Sequence, residues 1–90
     1  MRIISQDGTW DIPYESVVIQ RFGNDIFFLN ANFMGVEAER IVSDLKLATY
    51  STSEKATEVM GSLRNRYIRY IKNVVTGTYS YFQFPLDSEV

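Results

Sequence analysis

The chain of 90 residues contains no cysteine and no histidine. Without cysteine there is neither a disulfide framework nor a thiol nucleophile, and without histidine there is no imidazole base that titrates near neutral pH. These absences exclude the Ser-His triad and zinc sites built from sulfur and imidazole ligands. The clustered carboxylates Glu37, Glu39 and Asp44 lack the spacing of a calcium loop. The sequence also lacks a Walker loop and a G-x-G-x-x-G stretch. We therefore predict a non-enzymatic protein without a metal or cofactor.

Long apolar runs are missing as well. No segment approaches the roughly 18 consecutive apolar residues of a membrane-spanning helix. The N-terminus reaches Gln6 and Asp7 too early for the apolar region of a signal peptide. We expect a cytoplasmic protein without a membrane partner, and the absence of cysteine fits a reducing compartment. The net charge of −2 argues against general affinity for nucleic acid, which is therefore the less favoured partner.

Apolar and β-branched segments, separated by turn residues, predict strands in the first half and at the C-terminal end. The turns at Gln6-Asp7-Gly8 and Gly23-Asn24-Asp25 predict two hairpins, because glycine allows the positive φ that tight turns require. Between the second hairpin and the next strand, residues 30–35 resemble a loop, and a short helix competes with a strand over 36–45. The predicted strands are Met1–Ser5, Thr9–Ile12, Val17–Phe22, Ile26–Leu29, Leu45–Tyr50 and Thr78–Phe84.

One long amphipathic helix is the clearest predicted element. Ser51 followed by Glu54 has the spacing of a capping box, and the helix is expected to end near Asn73–Gly77. Its apolar residues recur at helical spacing and predict one buried stripe. The stripe consists of positions 56, 59, 60, 63, 67, 70, 71 and 74. We therefore predict a single α+β domain over residues 1–90, with an antiparallel sheet of about four to six strands and the helix packed on one face.

The charge is unevenly distributed along the chain. Residues 1–50 carry a net charge of −3, whereas residues 51–75 carry +3. Arg64, Arg66, Arg69 and Lys72 occur without an intervening acid, and the last three point away from the apolar stripe. One interpretation is a docking surface for phosphate or an acidic partner. The other is that cations in the second half of a helix complement its dipole. The sequence leaves both open.

Aromatic residues are concentrated in the C-terminal third. In the last predicted strand Tyr79 and Tyr81 alternate with Phe82 and Phe84, so each pair lies on its own face. We expect the two phenylalanines in the core. The two tyrosines are either core residues or, beside Arg66 and Arg69, part of a protein-binding hot spot. Stacking single-stranded nucleic acid would require similar side chains. We interpret Trp10, near the first turn, as a packing residue.

Three stretches together resemble a family. They are Met1-Arg-Ile-Ile-Ser-Gln-Asp-Gly8 leading into Asp11-Ile-Pro-Tyr-Glu15, then Tyr50-Ser-Thr-Ser-Glu-Lys-Ala56 continuing through Met60 to Tyr67, and the closing Phe82-Gln-Phe-Pro-Leu-Asp-Ser-Glu-Val90. This combination resembles small uncharacterised proteins encoded by phages, prophages and other mobile elements of Gram-positive bacteria. The resemblance implies a genomic setting in which short accessory proteins often bind a host protein. It carries over no binding residues.

The leading functional hypothesis is thus a mobile-element accessory protein that binds a host macromolecule, specifically as an anti-defence, anti-CRISPR-like inhibitor. Its predicted binding residues are Arg66, Arg69, Lys72, Tyr79 and Tyr81. One alternative is a homo-oligomeric structural or assembly protein that associates through the edge of Thr78–Phe84, which shows no gatekeeping charge in the sequence. The other is a small-ligand binder, for example of a nucleotide.

Overall fold

A computed structural model describes residues 1–30, 45–72 and 81–90 of the chain. Residues 36–44 of the short helix predicted over 36–45, and the residues Val74, Gly77 and Tyr79, lie outside these ranges. The strands are β1 (Arg2–Ile4), β2 (Asp11–Pro13), β3 (Val17–Phe22), β4 (Asp25–Asn30), β5 (Lys46–Thr49) and β6 (Tyr81–Gln83). The helix α1 spans Ser53–Lys72, and short 3-10 turns occupy Tyr14–Ser16 and Asp87–Glu89.

The strands form two three-stranded sheets. In the first sheet, of order β2-β1-β6, β1 is antiparallel to β2 and parallel to β6. In the second sheet, of order β3-β4-β5, all neighbours are antiparallel. The predicted α+β class is confirmed. The division into two sheets and the parallel pairing of the first with the last strand were not anticipated, because strand partners depend on long-range contacts.

Both predicted hairpins are present, and each turns at a glycine with positive φ. Gly8 has a φ of 78° and Gly23 a φ of 59°, values that favour glycine over residues with a Cβ. In the first turn the buried Ser5 hydroxyl donates to Asp7 Oδ1 and accepts from the Trp10 amide. These contacts satisfy the one buried polar side chain of this hairpin.

Gln6 joins the two sheets. A bulge in the β4–β5 pairing leaves Leu47 without a partner on β4, and its carbonyl accepts from the Gln6 amide at 2.8 Å. The Gln6 side chain continues this pairing on the next residues. Its Oε1 accepts from the Thr49 amide at 3.2 Å, and its Nε2 donates to the Thr49 carbonyl at 3.1 Å. The same Nε2 also donates to the Pro85 carbonyl at 3.0 Å. One side chain therefore links β1, β5 and the C-terminal segment.

The first half of α1 covers the core. Ala56, Val59 and Leu63 are buried on the helix, and they pack against apolar residues of both sheets. This core includes Ile3, Ile26, Phe28, Leu47, Phe82 and Phe84. Burial of Phe82 and Phe84 on one face, with Tyr81 exposed on the other, confirms the predicted alternation of the last strand. Trp10 also packs against the core, with its ring 5.1 Å from that of Phe28, as predicted.

The start of the helix differs from the prediction. The hydroxyl of Thr52, rather than that of Ser51, accepts from the Lys55 amide at 3.2 Å, so Thr52 is the N-cap and α1 begins at Ser53. The Ser51 amide instead donates to Asp87 Oδ1 at 2.7 Å. The expected capping box between Ser51 and Glu54 was therefore wrong, because Thr52 provides the cap and the Ser51 amide, which precedes the helix, is bonded to Asp87 instead.

The predicted apolar stripe is buried only over part of its length. Met60, Tyr67 and Tyr70 are partly buried against the core, whereas Ile71 is 52% exposed. The assignment of Ile71 to the core was therefore wrong. The physical reason is the small size of the sheets, since every buried residue of α1 lies at or before Leu63. Among the described residues, none of the helices is long and apolar enough to cross a membrane.

Candidate interaction surface on the helix

Arg66 attaches the helix to the last strand. Its Nη1 donates to the Tyr81 carbonyl at 3.0 Å, and its Cζ lies 5.8 Å from the centre of the Phe82 ring. The side chain is half-buried in this position. A guanidinium over an aromatic face is attracted by the ring quadrupole. Arg66 therefore holds α1 and β6 together. The sequence had instead predicted an exposed cation available to a partner.

Of the other predicted site residues, only some lie near this contact between Arg66 and β6. Arg69 and Lys72 are exposed in the last turns of α1. Tyr81 is 54% exposed on β6, and its backbone is brought to the helix by Arg66. Tyr79 lies outside the described residues. The structure therefore brings Arg66 and Tyr81 together and leaves Arg69 and Lys72 on the outer side of the helix.

An exposed apolar pair, which the sequence interpretation missed, lies among the helix cations. Ile68 is 46% exposed, and Ile71 one turn later is more exposed still. At about 100° per residue, positions 64, 68, 71 and 72 fall within an arc of about 100°. We call this arc, formed by Arg64, Ile68, Ile71 and Lys72, the Ile68 face. The available signal was Ile68 itself, which lies off the predicted stripe, so burial on the core could not account for it.

The Ile68 face is electrostatically positive. The sequence holds no acidic residue from Val59 to Leu86. Within residues 1–30, 45–72 and 81–90, Arg64 and Lys72 form no ion pair. The side-chain ion pairs of these residues lie elsewhere and join Arg2 to Asp11, Lys46 to Asp25 and Lys55 to Asp87. Position near the C-terminal end of α1 favours the cation of Lys72 through the helix dipole. The dipole does not explain why isoleucines are exposed between the cations.

A groove borders the same face. It lies between α1 and the second sheet, has a volume of about 250 Å³, and is lined by Tyr14, Val17, Ile19, Met60, Leu63 and Arg64. A row of tyrosines extends from its rim, with ring centres 4.4 Å apart for the tilted pair Tyr14 and Tyr67 and 6.0 Å apart for the stacked pair Tyr67 and Tyr70. Apart from Arg64 and the Tyr14 hydroxyl, its lining side chains are apolar. The groove can therefore accept an apolar side chain whose neighbour carries a negative charge.

A larger depression near the C-terminus has two of its polar side chains, those of Gln6 and Glu89, already hydrogen-bonded within the fold. Its volume is about 380 Å³, and Gln6, Gln83 and Glu89 contribute to its lining. The Gln6 amide is used at the sheet junction, and Glu89 Oε1 accepts from the Leu86 amide at 2.8 Å. Tyr50 nearby donates from its hydroxyl to the Pro85 carbonyl at 2.8 Å. Burial, followed by the negative charges of Asp87 and Glu89, raises the pKa of Tyr50 to about 12. These groups serve to close the C-terminal segment onto the fold.

The fold and this surface define an α+β protein with an exposed, positively charged helix face. Comparisons with models of protein families, with curated proteins and with solved structures find no match for the chain.

Proposed function

We propose that the chain is a protein-binding module whose Ile68 face docks on an acidic, partly apolar surface of another protein. The observation that supports this is the exposure of Ile68 and Ile71 between Arg64 and Lys72. Exposed apolar side chains supply the central part of a protein interface, and a surrounding rim of cations selects an acidic partner and speeds its association. The groove beside Arg64 offers a place for one anchoring side chain of the partner.

A protein is favoured over a nucleic acid as the partner. Single-stranded nucleic acid is held by exposed rings on which bases stack, together with a cationic path along the backbone. The exposed centre of the Ile68 face is aliphatic and provides no stacking surface. Tyr81 is exposed, but it lies on β6, where Arg66 is already committed to its carbonyl. The chain as a whole is negatively charged, which opposes general binding to phosphate backbones.

The resemblance to proteins of phages and mobile elements leads us to propose a host protein as the partner and inhibition of a host defence system as the biological role. Small size and an exposed docking face suit such a role, since an inhibitor needs only to occupy a surface on its target. This part of the proposal rests on the resemblance, whereas the docking face rests on the geometry of α1.

The experiment compares two variants of the face with a matched control. The chain is immobilised and exposed to a lysate of a Gram-positive host, and the captured protein is then purified and its affinity measured. I68S/I71S removes the apolar centre, and R64Q/K72Q removes the two cations. R21Q/K46Q removes the same charge from the second sheet and serves as the control.

We expect each face variant to weaken binding by about 10-fold or more, since loss of a hot-spot residue typically costs more than 1 kcal/mol. The control should bind like the wild type, and wild-type affinity should fall as salt screens the cations. Thermal melts of all variants should be similar, because the substituted side chains are exposed. If the face variants and the control bind equally well, the docking face is wrong, and if no specific protein is captured, the function is wrong.

A further inference from the structure

Within the residues that the structure describes, each sheet has two edge strands, and on three of these four strands outward backbone groups are already hydrogen-bonded by Gln6 or by an arginine. On β5, Gln6 occupies the Leu47 carbonyl and both backbone groups of Thr49. On β6, Arg66 occupies the Tyr81 carbonyl. On β2, which has only three residues, Arg2 Nη2 donates to the Asp11 carbonyl at 2.8 Å, and Pro13 has no amide to offer. Natural sheets commonly protect their edges in these ways against pairing with another chain.

The strand β3 is the exception. It is six residues long, pairs with β4 over its whole length, and shows no register shift. Among the described residues, β4 is the only strand that pairs with it. The Arg21 side chain folds back and donates to the Gly23 carbonyl at 2.8 Å. The part of the chain that the structure describes therefore shows no side chain hydrogen-bonded along this edge.

The hairpin turn determines which backbone groups of β3 face outward. Gly23 and Asn24 form the turn, so Phe22 and Asp25 close the hairpin as a hydrogen-bonded pair. Because such pairs alternate along an antiparallel ladder, Gln20 and Val18 also direct their amides and carbonyls to β4. The amides and carbonyls of the intervening residues, including Ile19 and Arg21, then point to the edge opposite β4, which no described strand covers.

The side chains of the same strand form an uncharged row. Val18, Gln20 and Phe22 share the face of the second sheet that is opposite to Val17 and Ile19, the two residues that pack against the core. Val18 is 45% exposed and Phe22 is 48% exposed, with the exposed Gln20 between them. Edge strands are usually protected by lysine or another charge at such positions.

We propose that β3 pairs antiparallel with β3 of a second copy of this chain, about a two-fold axis through Gln20. In this register Ile19 lies opposite the partner's Arg21, and the outward amides and carbonyls of these residues form hydrogen-bonded pairs on both sides of the axis. Val18 lies opposite the partner's Phe22 in close, non-hydrogen-bonded pairs, and Gln20 meets the partner's Gln20. The strand is therefore complementary to itself, as a two-fold interface requires.

The cross-strand charges and the small contact area indicate how strong such a dimer is. No like charges oppose each other within the paired strands, and aromatic side chains opposite β-branched ones are favourable cross-strand pairs. A strand of six residues is about 20 Å long, so the contact is smaller than the roughly 1,200–2,000 Å² of a stable interface. The dimer is therefore a transient one that forms at high protein concentration. It uses the edge of β3 rather than the Ile68 face, although Val17 and Ile19 of this strand also line the groove beside Arg64. It does not depend on the proposed function.

The test measures self-association by sedimentation equilibrium from micromolar to millimolar concentration. Q20K introduces a lysine at the two-fold axis, where it meets its own copy, and Q83K introduces the same charge on the exposed side of β6. The expected results are a reversible dimer for the wild type, at least a 10-fold weaker dimer for Q20K, and an unchanged dimer for Q83K. A mixture of Q20K with Q20E should restore association, because opposite charges then face each other across the axis.

Because Gln20 and Gln83 are both exposed, the variants should melt at the same temperature as the wild type. Thermal melts check that each variant is folded. If the wild type stays monomeric at millimolar concentration, the proposal is wrong. The β3 edge would then be a place where an extended strand of a different protein could pair. Equal association of Q20K and the wild type also overturns the proposal. Loss of the dimer in Q83K would assign the contact to β6 instead.

Discussion

Replacement of Tyr50 by phenylalanine tests how the C-terminal segment is held. Tyr50 is 4% exposed, and its hydroxyl donates to the Pro85 carbonyl at 2.8 Å. That carbonyl also accepts from Gln6 Nε2, so Tyr50→Phe leaves it with a partner. Because no buried acceptor is orphaned, the loss should be that of one ordinary hydrogen bond. We expect the free energy of unfolding at pH 7 to fall by about 1 kcal/mol.

The same substitution should change how stability depends on alkaline pH. The pKa of Tyr50 rises from 10.0 to about 12 in the folded protein, chiefly because the ring is buried and further because Asp87 and Glu89 are negatively charged. The folded state therefore holds this proton more tightly than the unfolded state. The resulting stability is fully present below pH 10, is lost as the pH rises from 10 to 12, and amounts to about 2–3 kcal/mol.

Phenylalanine has no hydroxyl proton to lose, so the order of stability of the wild type and Tyr50→Phe should reverse at high pH. Below pH 10 the wild type is the more stable by about 1 kcal/mol, whereas near pH 12 Tyr50→Phe should be the more stable. Urea denaturation at a series of pH values from 7 to 12 measures both curves, and the remaining ionisable groups contribute to each. A constant offset between the curves across this range would refute the reasoning, because it would show that Tyr50 ionises as readily in the folded as in the unfolded chain.

Three further predictions concern the core, the sheet junction and the helix start. Leu63→Ala should lower the free energy of unfolding by about 2–5 kcal/mol by opening a cavity, whereas Ile68→Ala should change it by less than about 0.5 kcal/mol, both measured by urea denaturation. Gln6→Ala should cost about 1–3 kcal/mol in the same assay, because it removes the side-chain bonds that join β1 to β5 and to the C-terminal segment; an effect no larger than at Ile68 would contradict the assigned junction. The hydrogen bond from the Ser51 amide holds the pKa of Asp87 below its ordinary value of 3.8. The ionised Asp87 side chain therefore stabilises the fold above that ordinary value, and this stabilisation is lost as the pH falls further. Asp87→Asn should accordingly make the stability depend less on pH in the acid range, as followed by circular dichroism.

Local signals in the sequence were sufficient for much of the fold. The hairpin turns follow from Gly8 and Gly23, since few other residues adopt their backbone conformation. The long helix follows from apolar spacing, and the burial of Phe82 and Phe84 from alternation along one strand. Each of these depends on residues a few positions apart, which is the range over which backbone sterics and side-chain periodicity act.

The candidate site was only partly accessible to the same reasoning. The sequence placed Arg69 and Lys72 on the outer side of the helix, where the structure also has them. It could not show that Arg66 reaches a carbonyl of β6, because that contact joins residues 15 positions apart through the fold. Nor could it show that Ile71 is exposed, since periodicity indicates which face is apolar but not how far the sheets extend beneath it.

The sequence by itself determined the α+β class, the two hairpins, and an amphipathic helix with cations in its second half. Its lack of histidine and cysteine determined which kinds of site were excluded. Tertiary structure alone decided which strands became neighbours, which edges were covered, and which helix residues remained exposed. Gln6 and Arg66 show the reason, because each is an ordinary polar residue in the sequence whose partner is brought to it only by folding. The exposure of Ile68 and the free edge of β3 arise in the same way, from what the rest of the described fold does and does not cover.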